Sequence, residues 1–282
     1  MNGFSDVDAS KNPRALVRHL DKASANEQVR YSKCGLINEF LKPRKGDRIL
    51  DVGCGTGHDA KTLAGLIGRN GLVVGIDRSS TMIREARRRI RHLCLPLEFR
   101  IGDAHHLDFP DNAFDGCLVA STFMHLDRPW LALKEIVRVI KPGARIAALE
   151  PDWDTIVLAT GNRPADAMMV KIIRRSVCHS GIGHHLPVYF REMGLANISV
   201  QAGAWVVTDY GRANEVWRIR ASVEHARRAG LLSPKKVRAL TKVFMVSAKT
   251  GRFFGSSTGF AVVGTKPHIQ EVVHGKKIVH ED

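Results

Sequence analysis

A glycine-rich loop after an apolar run near residue 50 is the sharpest chemical signal in the sequence. The run 49–52 leads into glycines at alternate positions, Gly53, Gly55 and Gly57, and a helical pattern begins near His58. Glycines let the backbone turn tightly and approach a ligand, and the N–H groups at a helix start face that ligand. The loop therefore predicts a nucleoside-binding site. A dinucleotide fingerprint would need glycine at position 58, so His58 argues against a nicotinamide cofactor.

Acidic residues end the next two predicted strands. Asp77 comes about 20 residues after the loop, where a carboxylate can accept hydrogen bonds from both ribose hydroxyls. Alternatively, Asp77 caps the helix that opens at Ser79. Gly102, Asp103 and Ala104 end the third strand, and an adenine could be held there through its amino group.

Short apolar runs alternate with helical patterns over the first 150 residues. This rhythm is typical of a parallel sheet that is covered by helices on both faces, an α/β fold. The strands predicted in this part are Arg48–Val52, Leu72–Asp77, Leu97–Ile101, 116–120 and 145–150.

The rhythm changes after Glu150. About 35 residues pass before the next helix–strand unit, and loops of that length are usually functional, so this stretch is predicted to form a lid. Helices are predicted at 188–193, 212–229 and Pro234–Lys249, and strands at 198–207 and 260–265. An earlier helix, at 26–41, is predicted to cover the edge of the sheet.

With these motifs the sequence resembles the class I S-adenosylmethionine-dependent methyltransferases, in the small-molecule branch of the ubiquinone- and menaquinone-biosynthesis enzymes (methyltransferase type 11). Four motifs in order carry the resemblance across residues 26–150: ILDVGCGTG, VVGID, IGDAHHLDFPDNAFD and LKEIVRVIKPGARIAALEP. It implies a Rossmann-like, seven-strand, mostly parallel sheet with helices on both faces, N-terminal cover helices and a C-terminal helical lid insertion. The implied divisions are cover helices (1–45), S-adenosylmethionine-binding core (46–150), lid, substrate pocket and last strands (151–267), and a tail (268–282).

The resemblance also implies which residues hold S-adenosylmethionine, and its product S-adenosylhomocysteine. Asp51 and the loop 53–57 would hold the methionine part, and Asp77 would bind the ribose. The adenine would lie against Arg78 and Met82, with its edge at Asp103 and Ala104. The amino acid end of the cofactor would lie at the tip of the fourth strand, at 120–121. The predicted set is Asp51, Gly53, Cys54, Gly55, Thr56, Gly57, Asp77, Arg78, Met82, Gly102, Asp103, Ala104, Ala120 and Ser121.

Methyl transfer depends mainly on alignment, and a base matters only if the acceptor must lose a proton. His125 follows the fourth strand at the ligand-bearing edge and is the first candidate for such a base. Alternatively, it is a helix-start or core histidine bonded to backbone. The other candidates lie past the fifth strand, namely Glu150, Asp152, Asp154 and His185.

The half after residue 150 is expected to contact the acceptor. Arginine forks bind carboxylate or phosphate, and aromatic side chains line apolar pockets, so an anionic or aromatic small molecule is expected. The predicted contacts are Trp153, His179, Tyr189 and Arg252. Although His179, His184 and His185 could cluster, no carboxylate or cysteine partners stand at ligand spacing, so no metal is predicted.

Composition limits the remaining classes of function. The 282 residues are 44% hydrophobic and 25% charged, without an apolar run that could span a bilayer, which excludes membrane-spanning, disordered and fibrous proteins. Five cysteines without paired spacing and a polar N-terminus predict a cytoplasmic protein.

The net charge of +15 leaves alternatives open. One is an RNA or protein methyltransferase recruited by its basic surface, and another is a non-catalytic S-adenosylmethionine-binding scaffold. The Asn/Asp-Pro-Pro-Tyr/Phe loop of nucleic-acid N-methyltransferases is replaced by ASTFMH at 120–125, so nucleic acid is not expected. The sequence thus predicts methyl transfer to an O, N or C atom of a small metabolite or natural product.

Overall fold

The sheet at the centre of the molecule contains seven strands. In this computed structural model, which describes residues 6–10 and 12–268, they are β1 (Arg48–Val52), β2 (Leu72–Asp77), β3 (Leu97–Ile101), β4 (Phe114–Ala120), β5 (Ile140–Ala159), β6 (Ala196–Val207) and β7 (Phe254–Thr265). Their order is β3-β2-β1-β4-β5-β7-β6. Strands β1 to β5 pair in parallel, and β7 lies antiparallel between β5 and β6.

Helices cover both faces of this sheet. They are α1 (Pro13–Ala25), α2 (Glu27–Gly35), α3 (His58–Ile67), α4 (Ser80–Ile90), α5 (Pro129–Val139), α6 (Arg163–Arg174), α7 (Ile182–Glu192), α8 (Tyr210–Trp217), α9 (Ile219–Arg228) and α10 (Pro234–Lys249). Side chains of β1 alternate between two core clusters, because successive residues of a strand point to opposite faces. Ile49 belongs to the cluster that contains side chains of α3 and α4, whereas Leu50 and Val52 belong to the cluster that contains side chains of α5, α6 and α7.

The predicted fold class is confirmed, and β1, β2, β3 and α10 have the predicted bounds. Four strands are longer than predicted, since β4 begins at Phe114, β5 at Ile140, β6 at Ala196 and β7 at Phe254. Phe114 and Ile140 pair with each other. The single helix predicted at 212–229 is two helices, because Arg218 adopts left-handed backbone angles between α8 and α9.

The prediction of a long lid loop after Glu150 is wrong. β5 continues to Ala159 and pairs with β7, and α6 follows almost at once. Ile156 and Leu158 are buried while Val157 is exposed, which is the alternation of a half-buried strand. Asn162 then caps α6 by accepting a hydrogen bond from the Ala165 N–H at 3.0 Å.

The helix that covers the glycine loop is α1, which lies near the N-terminus and not in the stretch after Glu150. The Asn12 side chain accepts a hydrogen bond from the Ala15 N–H at 3.0 Å, and Pro13 occupies the first helical position. Leu16 packs with Val7 and Met82 in a small buried cluster. Helix α1 therefore rests on the carboxyl-end edge of the sheet.

No helix among the described residues has both the length and the hydropathy to cross a bilayer.

Candidate functional site

The glycine loop between β1 and α3 needs glycine for both conformation and space. Gly53 and Gly55 have φ values of +72° and +52°, which side chains rarely adopt. A Cβ on Gly53 would lie 2.2 Å from Thr122 Oγ1, and one on Gly55 would lie 2.6 Å from Leu20 Cδ2. The loop is thus enclosed by the turn after β4 on one side and by α1 on the other.

Asp77, at the end of β2, connects that loop to α4. Its Oδ2 accepts a hydrogen bond from the Gly55 N–H at 3.0 Å, and its Oδ1 accepts one from the Ser79 N–H at 2.9 Å. Burial raises the pKa of Asp77 although these two bonds lower it. Each carboxylate oxygen has a second acceptor position, so the side chain can still bind two hydroxyl groups.

Asp51 lies beneath the loop in the core of β1. Its Oδ2 is buried and has no hydrogen-bond partner among the described residues. Burial, with the nearby charge of Asp59, raises the pKa of Asp51 to about 8, although Lys33 opposes this rise. Lys33 itself forms an ion pair with Asp59 at the cavity wall.

Most of the predicted cofactor residues line one cavity. Those that do are Gly53, Cys54, Gly55, Asp77, Arg78, Met82, Gly102, Asp103, Ala104, Ala120 and Ser121. Asp51, Thr56 and Gly57 lie behind its wall. Thr56 Oγ1 instead accepts a hydrogen bond from Arg89 at 3.1 Å, which fixes the loop against α4.

Glu150 supports the turn at the tip of β4. Its Oε1 accepts hydrogen bonds from the N–H groups of Thr122 at 2.7 Å and Phe123 at 2.8 Å. Burial raises the pKa of Glu150 to about 7, although these backbone bonds lower it. The side chain is fully buried and does not line the cavity. Glu150 therefore holds a wall of the site from behind.

His125 ends a short 3-10 turn, Phe123–His125, and lines the cavity. Burial and the positive charge of Arg218 lower its pKa to about 4. The imidazole is therefore neutral near pH 7 and is a weaker base than an ordinary histidine.

Among the catalytic candidates that the sequence suggests, His125 alone reaches the cavity. Asp152 accepts hydrogen bonds from the backbone N–H of His184 at 3.0 Å and from its Nδ1 at 2.6 Å. Asp154 pairs with Arg174 at 2.7 Å. The ring of His185 stacks on the Tyr189 ring outside the cavity. The described residues contain no grouping of three or more ligand-type side chains that could hold a metal ion.

Of the four predicted acceptor contacts, Trp153 lines the cavity. Its Nε1 donates to Met124 Sδ at 3.3 Å. The structure does not bring the other three there. His179 lies 3.3 Å from the Asp127 carbonyl, Tyr189 is on α7, and Arg252 is exposed after α10.

Sequence reasoning missed the residues that α1 contributes, whereas Trp217 and Arg218 belong to the larger sets of aromatic and arginine side chains that it expects in the half covering the acceptor. Leu16, His19 and Leu20 line the cavity from α1, and Trp217 and Arg218 line it from the junction of α8 and α9. The start of α1 was detectable, since Asn12 followed by Pro13 and apolar residues at helical spacing is a helix signature. The position of α1 over the glycine loop was not detectable from the sequence.

Two acidic side chains fasten the N-terminal segment to the sheet edge. Asp8 accepts hydrogen bonds from Ser79 Oγ at 2.8 Å, the Ser80 N–H at 2.8 Å and the Thr81 N–H at 3.2 Å, so it caps α4 from about 70 residues away. These bonds lower the pKa of Asp8, although burial alone would raise it. Asp21 pairs with Arg89 at 2.7 Å.

Together these elements enclose a cavity of about 750 Å³. Its lining extends from the glycine loop and Asp77, past His125, to Trp153 and Trp217. A volume of this size lies within the range of pockets that enclose small organic molecules.

Known proteins are similar to this chain in sequence or in fold. A family described as "Methyltransferase domain" matches residues 50–148. Demethylmenaquinone methyltransferase from Symbiobacterium thermophilum is 38% identical over 180 residues, which cover 56% of this chain and 72% of the relative. An uncharacterized 37.1 kDa protein in transposon TN4556 of Streptomyces fradiae is 30% identical over 248 residues, 88% of this chain and 70% of the relative. The structure of Haemonchus contortus phosphoethanolamine N-methyltransferase 2 with S-adenosyl-L-methionine matches the fold with a TM-score of 0.62 and 16% identity, over 95% of this chain and 60% of that one.

Proposed function

The chain belongs to the S-adenosylmethionine-dependent methyltransferases, and we propose that it transfers the methyl group to a small organic acceptor bound in the same cavity. The observation that carries this proposal is the continuity of the cavity. One space is lined by the nucleoside-type loop at one end and by His125, Trp153 and Trp217 at the other.

The residues present fit the cofactor. Gly53 and Gly55 provide a backbone cradle that a Cβ would fill, and Asp77 offers two carboxylate oxygens at the cavity wall. In the proposed arrangement Asp77 binds the ribose, and Arg78 and Met82 pack on the adenine.

S-adenosylmethionine supplies an electrophilic methyl group on its sulfonium sulfur. The chain's main contribution is alignment, because holding a nucleophile in line at about 3 Å supplies much of the rate of such a transfer. His125 lines the cavity in its neutral form and can accept a proton, but its low pKa makes it a weak base. We therefore assign His125 to positioning the acceptor first and to proton removal second.

Two linked measurements test the proposal. Calorimetry with S-adenosylhomocysteine should show binding to the wild type, at least about tenfold weaker binding to Gly55→Ala, and unchanged binding to Gly65→Ala. Gly65 is the matched control because no atom lies within 4 Å of the place that a Cβ on it would occupy, and its helix favours alanine.

Transfer is followed with S-adenosylmethionine carrying a labelled methyl group and fractions of a cell extract. Label in the small-molecule fraction supports the proposed acceptor class. Label confined to RNA or protein would contradict it and favour the basic-surface alternative, whose retention on RNA should fall steeply with salt. Tight binding of the cofactor with no transfer to any fraction would favour the non-catalytic scaffold.

A further inference from the structure

Helix α10 carries a row of positive charge on its outer face. Its inner face is buried, and the Phe244 ring on that face lies 5.8 Å from the Tyr210 ring of α8. The outer face presents four exposed cations, Lys235, Arg238, Lys242 and Lys249. Because an α-helix turns by about 100° per residue, their spacing places all four within a sector of about 60°. This α10 row is about 21 Å long, at 1.5 Å per residue.

No acidic side chain balances the α10 row. The sequence contains no aspartate or glutamate between Glu224 and Glu271. In the part of the chain that the structure describes, none of the four cations forms an ion pair. Like charges three or four residues apart on a helix repel each other and destabilise it. Helix α10 therefore has a charge arrangement that is unfavourable for the isolated protein.

Other cation-rich helices of the chain balance their charge internally. On α4, the Glu85 carboxylate pairs with Arg88 and with Arg89, at 2.7 Å in each case. On α9, the Glu224 carboxylate pairs with the two arginines that follow it, at 2.8 Å in each case. Helix α10 departs from this pattern, so its row suits an external partner that supplies many negative charges.

The α10 row also contains an exposed apolar side chain. Val246 lies four residues after Lys242 and three before Lys249, so it falls on the same side of the helix, and it is 50% exposed. Leu231, in the turn before α10, is 59% exposed. A lipid surface takes up apolar side chains at the boundary between headgroups and acyl chains.

A nucleic acid fits this face less well. Single-stranded nucleic acids bind through exposed aromatic side chains on which their bases stack. Of the Phe, Tyr and Trp residues in the sequence, α9 and α10 contain only Phe244, and its side chain is buried. Exposed aliphatic side chains among cations favour lipid over RNA.

We propose that α10 docks the protein on the surface of an anionic lipid bilayer. The four cations contact the lipid phosphates, and Val246 enters the boundary below them. The helix lies on the bilayer and does not cross it, since a spanning helix needs about 20 apolar residues and α10 has 16 residues, five of them charged. No residue of α10 lines the cavity, so this surface is separate from the site of methyl transfer.

Cosedimentation of the full chain with vesicles tests the docking. Vesicles of equal parts phosphatidylcholine and phosphatidylglycerol should bind the protein, and vesicles of phosphatidylcholine alone should not. Each cation close to an anionic surface strengthens binding about fivefold, so Lys235→Gln combined with Lys242→Gln should bind about 25-fold more weakly. The matched control is Lys61→Gln combined with Lys134→Gln, which removes two exposed lysines from α3 and α5 and should bind within about twofold of the wild type.

A second variant tests the apolar part of the surface. Val246→Gln leaves the charge unchanged and should weaken binding to the anionic vesicles about fourfold or more, because the half-exposed valine loses its contact with lipid. Retention on polyuridylate is measured in parallel, and it should be weaker than binding to the anionic vesicles.

Four results would overturn the proposal. They are equal binding to the two kinds of vesicle, equal losses in the two double variants, undiminished binding by Val246→Gln, and tighter retention on polyuridylate than on the anionic vesicles. The last result would assign the α10 row to RNA. The comparisons between vesicles and with polyuridylate use the wild type, so they stand even if a variant does not fold.

Discussion

The buried carboxyl of Glu150 should make the stability of the protein fall as the pH rises, and Glu150→Gln should remove the part of that dependence that Glu150 causes. Burial raises the pKa of Glu150 from 4.5 to about 7 in the folded chain. The protonated side chain therefore contributes its full stabilisation below pH 4.5, and this contribution is lost as the pH rises through about 7.

The size of the effect follows from the pKa difference. A rise from 4.5 to about 7 corresponds to about 3 kcal/mol at high pH, of which about 2 to 3 kcal/mol develops between pH 5 and pH 8. Glutamine is neutral at both pH values, and its Oε1 can accept the same hydrogen bonds from Thr122 and Phe123.

Urea unfolding of wild type and Glu150→Gln at pH 5 and pH 8 measures this contribution. The variant should gain about 2 to 3 kcal/mol over the wild type between the two pH values. The comparison isolates Glu150 because other buried acids, including Asp51, are common to both proteins. Glu192→Gln, at the exposed end of α7, is the control and should show no such gain. An identical stability difference at pH 5 and pH 8 would refute the argument.

Three further predictions concern the site. Asp77→Ala should weaken S-adenosylhomocysteine binding about tenfold or more, because charged hydrogen bonds contribute about 1.5 to 3 kcal/mol, whereas calorimetry of Asp108→Ala, an exposed control, should show no change. His125→Ala should lower the rate of methyl transfer. If His125 removes a proton, the wild-type rate should rise with pH around pH 4 in a pH–rate series, and a rise around pH 6.5 would contradict its lowered pKa. Asp8→Ala should increase hydrogen exchange in α1 and leave that of β1 unchanged, because Asp8 fastens the N-terminal segment to α4; equal protection of α1 in both proteins would show that the cap does not hold it.

The sheet and the cofactor end of the site were predictable because their signals are local. Short apolar runs predicted β1, β2 and β3 to the residue, and the glycines of the loop were recognisable from their alternate spacing directly after β1. The structure of the stretch after Glu150 was not predictable, since its strand character depends on pairing with β7, about 100 residues further along the chain. The length of this stretch predicted a lid, whereas its pairing with β7 makes its first part a strand.

The residues at the acceptor end of the site were not predictable from the sequence, because they too are brought together by long-range packing. Glu150, a candidate acid by its position after a strand, turns inward because its carboxylate satisfies two N–H groups of the β4 turn. Arg218 is one arginine among many in the sequence, and only the break between α8 and α9 directs it to the wall where His19 arrives from α1. A spacing rule can find residues that share a loop or a helix. It cannot find a binding wall assembled from elements 100 or 200 residues apart.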